Sequence, residues 1–300
     1  MANRSGLKRL ALAAVTVAIL IVLARAVDWR ELKSAFAGAQ WEPLVAAALL
    51  TLLFPVLNTF RWLAVLRAAG ARMSWMRAFR ITMACWPVGT LTPGKAGELL
   101  KATALRDRAL GLGTVLAERL VDVAVLGCFG AIFGLVAGSA IASLIGVAAV
   151  CAVIGFVLMA GVAARMLSAK PIGAKIAGFL ELFPRLARQP GLLMACVLSS
   201  ALNWFLSMAQ LWFLLEAFGA PASLVLIMGI LPAATFAGLI PITIAGAGTR
   251  DGALILLAGG LIDSAPLLAA SVVYTFLGYF LLGIAGLPFL GELTKGKRGH

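Results

Sequence analysis

Histidine and charged residues are scarce in this sequence of 300 residues. Its one histidine is the last residue, His300, which excludes a Ser–His–Asp triad or a histidine metal site within the fold. Charged residues make up 12% of the chain and apolar residues 62%, against about 25% and 45–50% in soluble domains. A bilayer accommodates that much apolar surface, whereas a soluble core does not. The sequence therefore predicts an all-α integral membrane protein without a soluble domain, a metal or a cofactor.

Cysteine is also rare. The four cysteines stand in apolar runs, and no C-x-x-C pattern or disulfide framework links them; they are Cys85, Cys128, Cys151 and Cys196. We interpret them as small packing residues. The net charge is +13, but no basic tract alternates with stacking aromatic residues, so nucleic acid is not expected as a partner.

Long apolar runs predict about six spanning helices, because about 20 apolar residues cross the hydrocarbon core. They fall at about 7–25, 43–67, 114–137, 140–164, 190–216 and 265–288. The first run also has the length of a cleaved signal peptide. Arg25 beside the cleavage-like site and the membrane character of the remaining chain favour a helix. Residues 25–42 are bracketed by tryptophans and predict a short interfacial helix.

Two further apolar segments are interrupted by proline and glycine. Residues 78–91 give about 21 Å of helix, less than the core of about 30 Å, and Pro93 and Gly94 come directly after them. Pro241 interrupts the second segment in the same way. We therefore expect re-entrant helical hairpins at about 78–108 and 222–262, surrounded by protein or by a wet cavity.

Charge distribution predicts the topology. The excess of lysine and arginine falls at the N-terminus, 58–80, 95–108, a polar loop over 165–189 and the tail, which the positive-inside rule places in the cytoplasm. Both termini of this multi-pass protein are then cytoplasmic, and the membrane is the cytoplasmic (inner) one. The same order of segments occurs twice with opposite orientation, which predicts inverted repeats over 1–138 and 139–294 and a basic tail over 295–300.

Substrate binding is expected near the two hairpin breaks. The return arms begin with free N–H groups and a positive dipole end, which bind phosphate or carboxylate. Lys95 and Arg250 add full charges there, and a cation within a membrane usually has a function. Glu98 and Asp251 are equally well explained as caps or ion-pair partners. The predicted transport residues are Arg61, Lys95, Gly97, Glu98, Lys101, Glu118, Arg119, Asp122, Gly246, Gly248, Thr249, Arg250 and Asp251.

Glu118 and Asp122 lie one helical turn apart, so they require a nearby cation. The candidates are Arg119, Lys95, Lys101 and Arg61. An ion-pair network that clamps the hairpin and a gate or proton site are both open interpretations.

Several other residues in apolar segments have simpler interpretations. Arg61 and Trp62, taken alone, predict a side-chain pair that reaches the inner interface. Glycines at 130, 134 and 138 predict close helix packing. The amides of Asn58, Asn203 and Gln210 either join helices or line a path.

Together these motifs resemble the lysylphosphatidylglycerol synthase transmembrane, or flippase-like, family. The resemblance rests on Arg61-Trp62 with Gly70, Pro93-Gly94-x-x-Gly97-Glu98, Glu118-Arg119-x-x-Asp122 and Pro241…Gly246-x-Gly248-x-x-Asp251. It covers most of the chain and departs from the family pattern at Asp251, where a glutamate is expected.

The resemblance implies movement of a phosphate-bearing lipid, anionic or polyprenyl-linked, across the membrane. In bifunctional members the similar region is flippase-like and a separate soluble domain makes the lipid. That domain has no counterpart in this sequence, so no enzymatic activity is expected. The expected partner is the lipid substrate, with a homodimer or a partner enzyme left open. The alternatives are an ion- or proton-coupled small-solute transporter and a membrane enzyme acting on a lipid-linked substrate.

Overall fold

The protein is described by a computed structural model that covers residues 29–168, 174–240 and 248–295. This part of the chain is helical and contains no strand. Its elements are α1 (Trp29–Ala37), α2 (Trp41–Ala68), α3 (Trp75–Leu91), the 3-10 helix η1 (Pro93–Ala104), α4 (Arg108–Val136), α5 (Ala140–Ser168), α6 (Ala174–Ala187), α7 (Pro190–Ala217), α8 (Leu224–Leu239), α9 (Thr249–Ala258), α10 (Ser264–Phe289) and α11 (Glu292–Lys295). The predicted helix at 7–25 and the break with Pro241 and Gly246 lie outside the described residues.

Five of these helices, α2, α4, α5, α7 and α10, are long and apolar enough to cross a membrane. They coincide with five of the six spans predicted from the sequence, which confirms the all-α membrane fold. Two of them are locally irregular. A single turn residue, Leu52, interrupts α2, and α10 contains a π-helical segment, Phe276–Leu281.

α3 and α8 are shorter, with 17 and 16 residues, and each is followed by a short helix that packs against it. η1 contacts α3 so closely that a Cβ atom on Gly97 would lie 2.2 Å from the backbone nitrogen of Gly89. The return arm is a 3-10 helix. The Gly97 N–H donates to the Thr92 hydroxyl at 2.8 Å, whereas in an α-helix starting at Pro93 it would donate to the Pro93 carbonyl.

The helices are arranged around the pair α2 and α7, which pack along one another. α3 packs on α10 and η1 on α4, while α8 packs on α4 and α9 on α10. The two short-helix pairs, α3 with η1 and α8 with α9, therefore each contact both α4 and α10.

Two hydrophobic clusters hold the ends of the short-helix pairs. Trp75 at the start of α3 and Leu105 after η1 belong to the same cluster. Ala220 before α8 and Ile262 after α9 belong to another. In each pair, the start of the first helix and the end of the second one thus contact the same cluster.

Three expectations from the sequence were wrong. Residues 165–189 contain helix α6, whose Leu182, Phe183 and Leu186 are buried, rather than only a polar loop. Gly138 does not mediate packing: it follows α4 with a φ of 75°, and no atom lies within 4 Å of its Cβ position. Gly130 and Gly134 do pack closely on neighbouring helices. Cys128 and Cys151 are exposed rather than packed.

Candidate functional site

A cavity with charged, polar and aromatic walls lies where α2, α3, η1, α4, α7, α8, α9 and α10 meet. A second, smaller space adjoins it and shares four wall residues, Asn58, Trp86, Glu98 and Tyr279. The outer surface of the bundle, by contrast, exposes large apolar side chains such as Leu144, Leu158 and Leu256. The cavity is therefore a polar interior within an apolar exterior.

A network of three acids and three bases lies beside the cavity, and its members Glu98, Arg119 and Asp122 line the cavity wall. Arg61 Nη1 lies 2.7 Å from Asp122 Oδ1, and Arg61 Nε lies 3.6 Å from Glu118 Oε1. Lys101 Nζ, on η1, lies 3.0 Å from Glu118 Oε2. The cations that Glu118 and Asp122 require are thus supplied by two other elements, α2 and η1, and the network ties both to α4.

Arg119, the third base of this network, connects Asp122 to Glu98 and lines the cavity. It pairs with Glu98 of η1 and lies 3.5 Å from Asp122 Oδ2. The side chains of Arg119 and Glu98 are 31% and 21% exposed, whereas those of Arg61 and Glu118 are each 1% exposed. The Arg119–Glu98 pair is the part of the network that a ligand in the cavity reaches first.

A second charged cluster, Arg250 with Asp251, lies at the start of α9. The Asp251 carboxylate accepts hydrogen bonds from the Gly248 N–H at 2.9 Å, from Ser271 at 2.5 Å and from Arg250 at 3.1 Å. Arg250 also donates to the Thr275 hydroxyl. Asp251 therefore caps its own helix and pairs with Arg250, as one of the two interpretations expected.

Aromatic rings surround the Arg250 guanidinium. It lies 4.8 Å from the ring centre of Tyr274 and 5.9 Å from that of Tyr279, within the range of cation–π attraction. Its Nε atom is buried without a hydrogen-bond partner. A buried charged donor without a partner is costly, so this nitrogen is a candidate contact for an anion.

The structure corrects the interpretation of Arg61 and Trp62. Both side chains are buried rather than at an interface: Arg61 is bound by the carboxylates of α4, and the Trp62 indole lies beside Lys101, with 5.3 Å between its ring centre and Nζ. The pull of two carboxylates outweighs the solvation that Arg61 would gain at the membrane surface.

The remaining predicted residues divide into three groups. Gly97 supports packing on α3, and Gly248, at φ 91°, makes the turn that starts α9. Thr249 is the first residue of α9. The side chains of Pro93, Gly94 and Lys95, and the whole of Pro241 and Gly246, lie outside the part of the chain that the structure describes.

Sequence reasoning missed several neutral wall residues. Ser200 donates to Asp122 at 2.6 Å, and Ser271 and Thr275 bind the second cluster. Trp86, Trp204, Tyr274 and Tyr279 also line the cavities. Their only signal in the sequence is a polar or aromatic side chain in an apolar helix, which many packing residues share.

The amides of Asn58 and Asn203 join two helices, since Asn58 donates to Asn203 at 3.2 Å. Both residues also line the cavity.

The π-helical segment of α10 forms part of the same wall. A π-turn leaves backbone carbonyls available for other donors. The Trp86 indole donates to the Gly278 carbonyl at 3.0 Å, and the Thr90 hydroxyl lies 3.0 Å from the Tyr279 carbonyl. α3 is thereby attached to α10 beside Tyr279. Among the described residues, no group of three His, Cys, Asp or Glu side chains is placed to bind a metal.

The fold and site define a multi-pass helical membrane protein with a charged cavity inside its bundle. More particularly, the chain belongs to the family described as the lysylphosphatidylglycerol synthase TM region, whose model matches residues 9–286. It is also similar to a UPF0104 membrane protein of Archaeoglobus fulgidus, with 31% identity over 113 residues. That match covers 36% of this chain and 34% of the relative, so the chain spans about a third of the relative's length.

Proposed function

We propose that this protein is a lipid flippase or scramblase that moves a phosphate-bearing lipid across the cytoplasmic membrane. The observation that carries the proposal is the cavity lined by the charged residues Glu98, Arg119, Asp122 and Arg250, inside a bundle with an apolar exterior. Such a cavity suits a polar head group while acyl or prenyl tails remain in the bilayer. Membership in the transmembrane family of a lipid-modifying enzyme supports it.

The cations of the cavity suit a phosphate. Arg119 is partly exposed to the cavity, and Arg250 offers a buried Nε without a hydrogen-bond partner. Arginine presents several donors in a planar fork that matches phosphate geometry. A phosphate that displaces Glu98 from Arg119 keeps the guanidinium paired.

The proposal includes an inverted repeat with two re-entrant hairpins and cytoplasmic termini. Three features support it. α2 and α7 each have 28 residues and pack on one another. The α3–η1 and α8–α9 pairs each start and end in one hydrophobic cluster. Each pair also contacts both α4 and α10, the cross-contact that two-fold related halves would make.

A proton-coupled small-solute transporter is the second candidate. The feature that favours it is Glu98, a carboxylate that is 21% exposed, whereas the other two acids of the network, Glu118 and Asp122, are buried. Protonation of Glu98 would release Arg119 and alter the cavity wall, which is how carboxylates couple protons to transport.

Lipid translocation in proteoliposomes tests the proposal. Fluorescent phosphatidylglycerol and a labelled polyprenyl phosphate are reconstituted separately, and an impermeant reductant bleaches the outer leaflet. We expect bleaching well beyond half of the signal with the unaltered protein, and a rate at least tenfold lower with Arg250→Ala or Glu98→Ala. Arg185→Ala is the matched control, because Arg185 is an exposed cation on α6, paired with Glu181 outside the cavity.

Bleaching that stops at half for both lipids contradicts lipid translocation. A proton-dependent uptake of a water-soluble solute by the same vesicles would then support the second candidate.

A further inference from the structure

We propose that the head group is a phosphate-linked ring bearing hydroxyls, that is, a sugar or a cyclitol phosphate; this inference rests on the proposed lipid translocation. It derives from the hydrogen-bonding groups of the cavity walls that have no partner, and from the aromatic rings beside them.

The charged groups of the walls are already paired with each other. Glu98 and Asp122 are bound by Arg119, Asp122 also by Arg61, and Asp251 by Arg250. A cationic head group would find no unpaired carboxylate among these residues. The walls therefore do not select for a positively charged amine.

The buried side-chain atoms without a hydrogen-bond partner at these walls are mostly neutral. They are the Trp204 Nε1 donor, the Gln210 Oε1 acceptor and the Thr82 hydroxyl, together with the charged Arg250 Nε. Trp204, Gln210 and Arg250 line the larger space and Thr82 the smaller one. Each such atom costs about 1–3 kcal/mol while unpaired, so a ligand that pairs them binds preferentially.

This set matches a polyhydroxylated ring attached to phosphate. A hydroxyl both donates and accepts, so ring hydroxyls satisfy the donor of Trp204 and the acceptor of Gln210 together. Arg250 Nε remains for a phosphate oxygen. A head group without hydroxyls would leave the neutral atoms unpaired, which is the basis of strong discrimination between such analogues.

Aromatic faces add to the match. The Trp86 indole is fixed by its bond to the Gly278 carbonyl and, with Trp204, lines the larger space. The C–H face of a sugar or cyclitol ring packs on such rings while its hydroxyls point to polar neighbours.

The test compares two fluorescent lipids with the same single negative charge in proteoliposomes. Phosphatidylinositol carries a cyclitol ring, whereas phosphatidylmethanol carries the phosphate without hydroxyls. We expect phosphatidylinositol to move at least tenfold faster. Equal rates would overturn the inference and leave the proposed function standing. If neither lipid moves, and phosphatidylglycerol and the polyprenyl phosphate do not move either, both proposals are overturned.

Two variants separate recognition from folding. Trp204→Phe keeps an aromatic ring and removes the Nε1 donor, and Thr82→Val removes the hydroxyl at nearly constant volume. Each should lower the rate ratio of the two lipids at least threefold. Trp212→Phe, on the same helix but packed against the hydrophobic cluster, should leave the ratio unchanged. Equal slowing of both lipids by Trp204→Phe and Thr82→Val would indicate a structural role and overturn the inference.

Discussion

The Arg61 guanidinium lies 2.7 Å from the Asp122 carboxylate, although the two residues stand on different helices, α2 and α4. Both side chains are almost fully buried. Since a charge without a partner is expensive within a bilayer, this ion pair joins the two helices as firmly as an apolar contact would and fixes their relative rotation.

Arg61→Met should therefore lower the free energy of unfolding by about 3–5 kcal/mol, the usual cost of removing one partner from a buried pair. The variant leaves Asp122 with Ser200 and the more distant Arg119. Denaturant unfolding in detergent micelles measures the change. Arg67→Met on the exposed side of the same helix is the control, and a loss from Arg61→Met no larger than the control's contradicts the prediction.

The Arg119–Glu98 pair should behave differently, because it is partly exposed to the cavity. Glu98→Gln should change stability by about 1 kcal/mol or less, as partly solvated pairs do, yet slow lipid translocation at least tenfold. Unfolding and vesicle assays on the same preparation separate the two effects. The double variant Glu98→Arg with Arg119→Glu should recover part of the translocation rate. If Glu98→Gln lowered the free energy of unfolding as much as Arg61→Met does, the Arg119–Glu98 pair would be structural and not a pair that a ligand breaks.

Gly97→Ala should disrupt the contact between η1 and α3. The new methyl group would lie 2.2 Å from the Gly89 backbone nitrogen, so η1 must move, and overpacking of this kind costs about 1–3 kcal/mol. Thermal unfolding in detergent reports the loss. Gly155→Ala on α5 is the matched control, since nothing lies within 4 Å of its Cβ position; equal stability of the two variants would contradict the close packing of η1 on α3.

The proposed topology predicts which sites a membrane-impermeant thiol reagent reaches. In a cysteine-free background, the single variants Arg72→Cys and Arg188→Cys should be labelled only after the cytoplasmic membrane is permeabilised. Ser139→Cys and Asp263→Cys should be labelled while the cytoplasmic membrane is intact, provided that the reagent can pass any outer layer of the cell. Labelling of Arg72 and Ser139 from the same side would exclude the predicted orientation of α4.

Much of this fold can be predicted from the sequence because long apolar runs have few alternatives in a membrane. Five described spans coincide with the predicted ranges, and the break at Pro93 is found where proline and glycine indicate it. Helix α6 was not predicted because the basic residues of 165–189 were interpreted as a cytoplasmic loop. The helix nevertheless has an apolar face, on which Leu182 and Phe183 are buried.

The candidate site was predictable only where charge made it conspicuous. Glu118 and Asp122 required a cation, and Lys101 and Arg61 supply it. Local sequence gave no sign that Arg61 points inward, because its partner stands 61 positions away. The hydrogen bonds of the Ser200 and Ser271 hydroxyls to the carboxylates could not be predicted either, because a serine in an apolar helix is equally compatible with packing.

The network of three acids and three bases also has an electrical consequence. Its charges cancel, so a rearrangement that keeps the pairs together carries no net charge through the membrane field. If the protein moves a lipid as proposed, the network adds no charge movement to that of the cargo, which is worth about 2.3 kcal/mol per elementary charge for each 100 mV. A singly anionic lipid would be driven toward the positive side of the membrane, while a neutral lipid would distribute without regard to voltage.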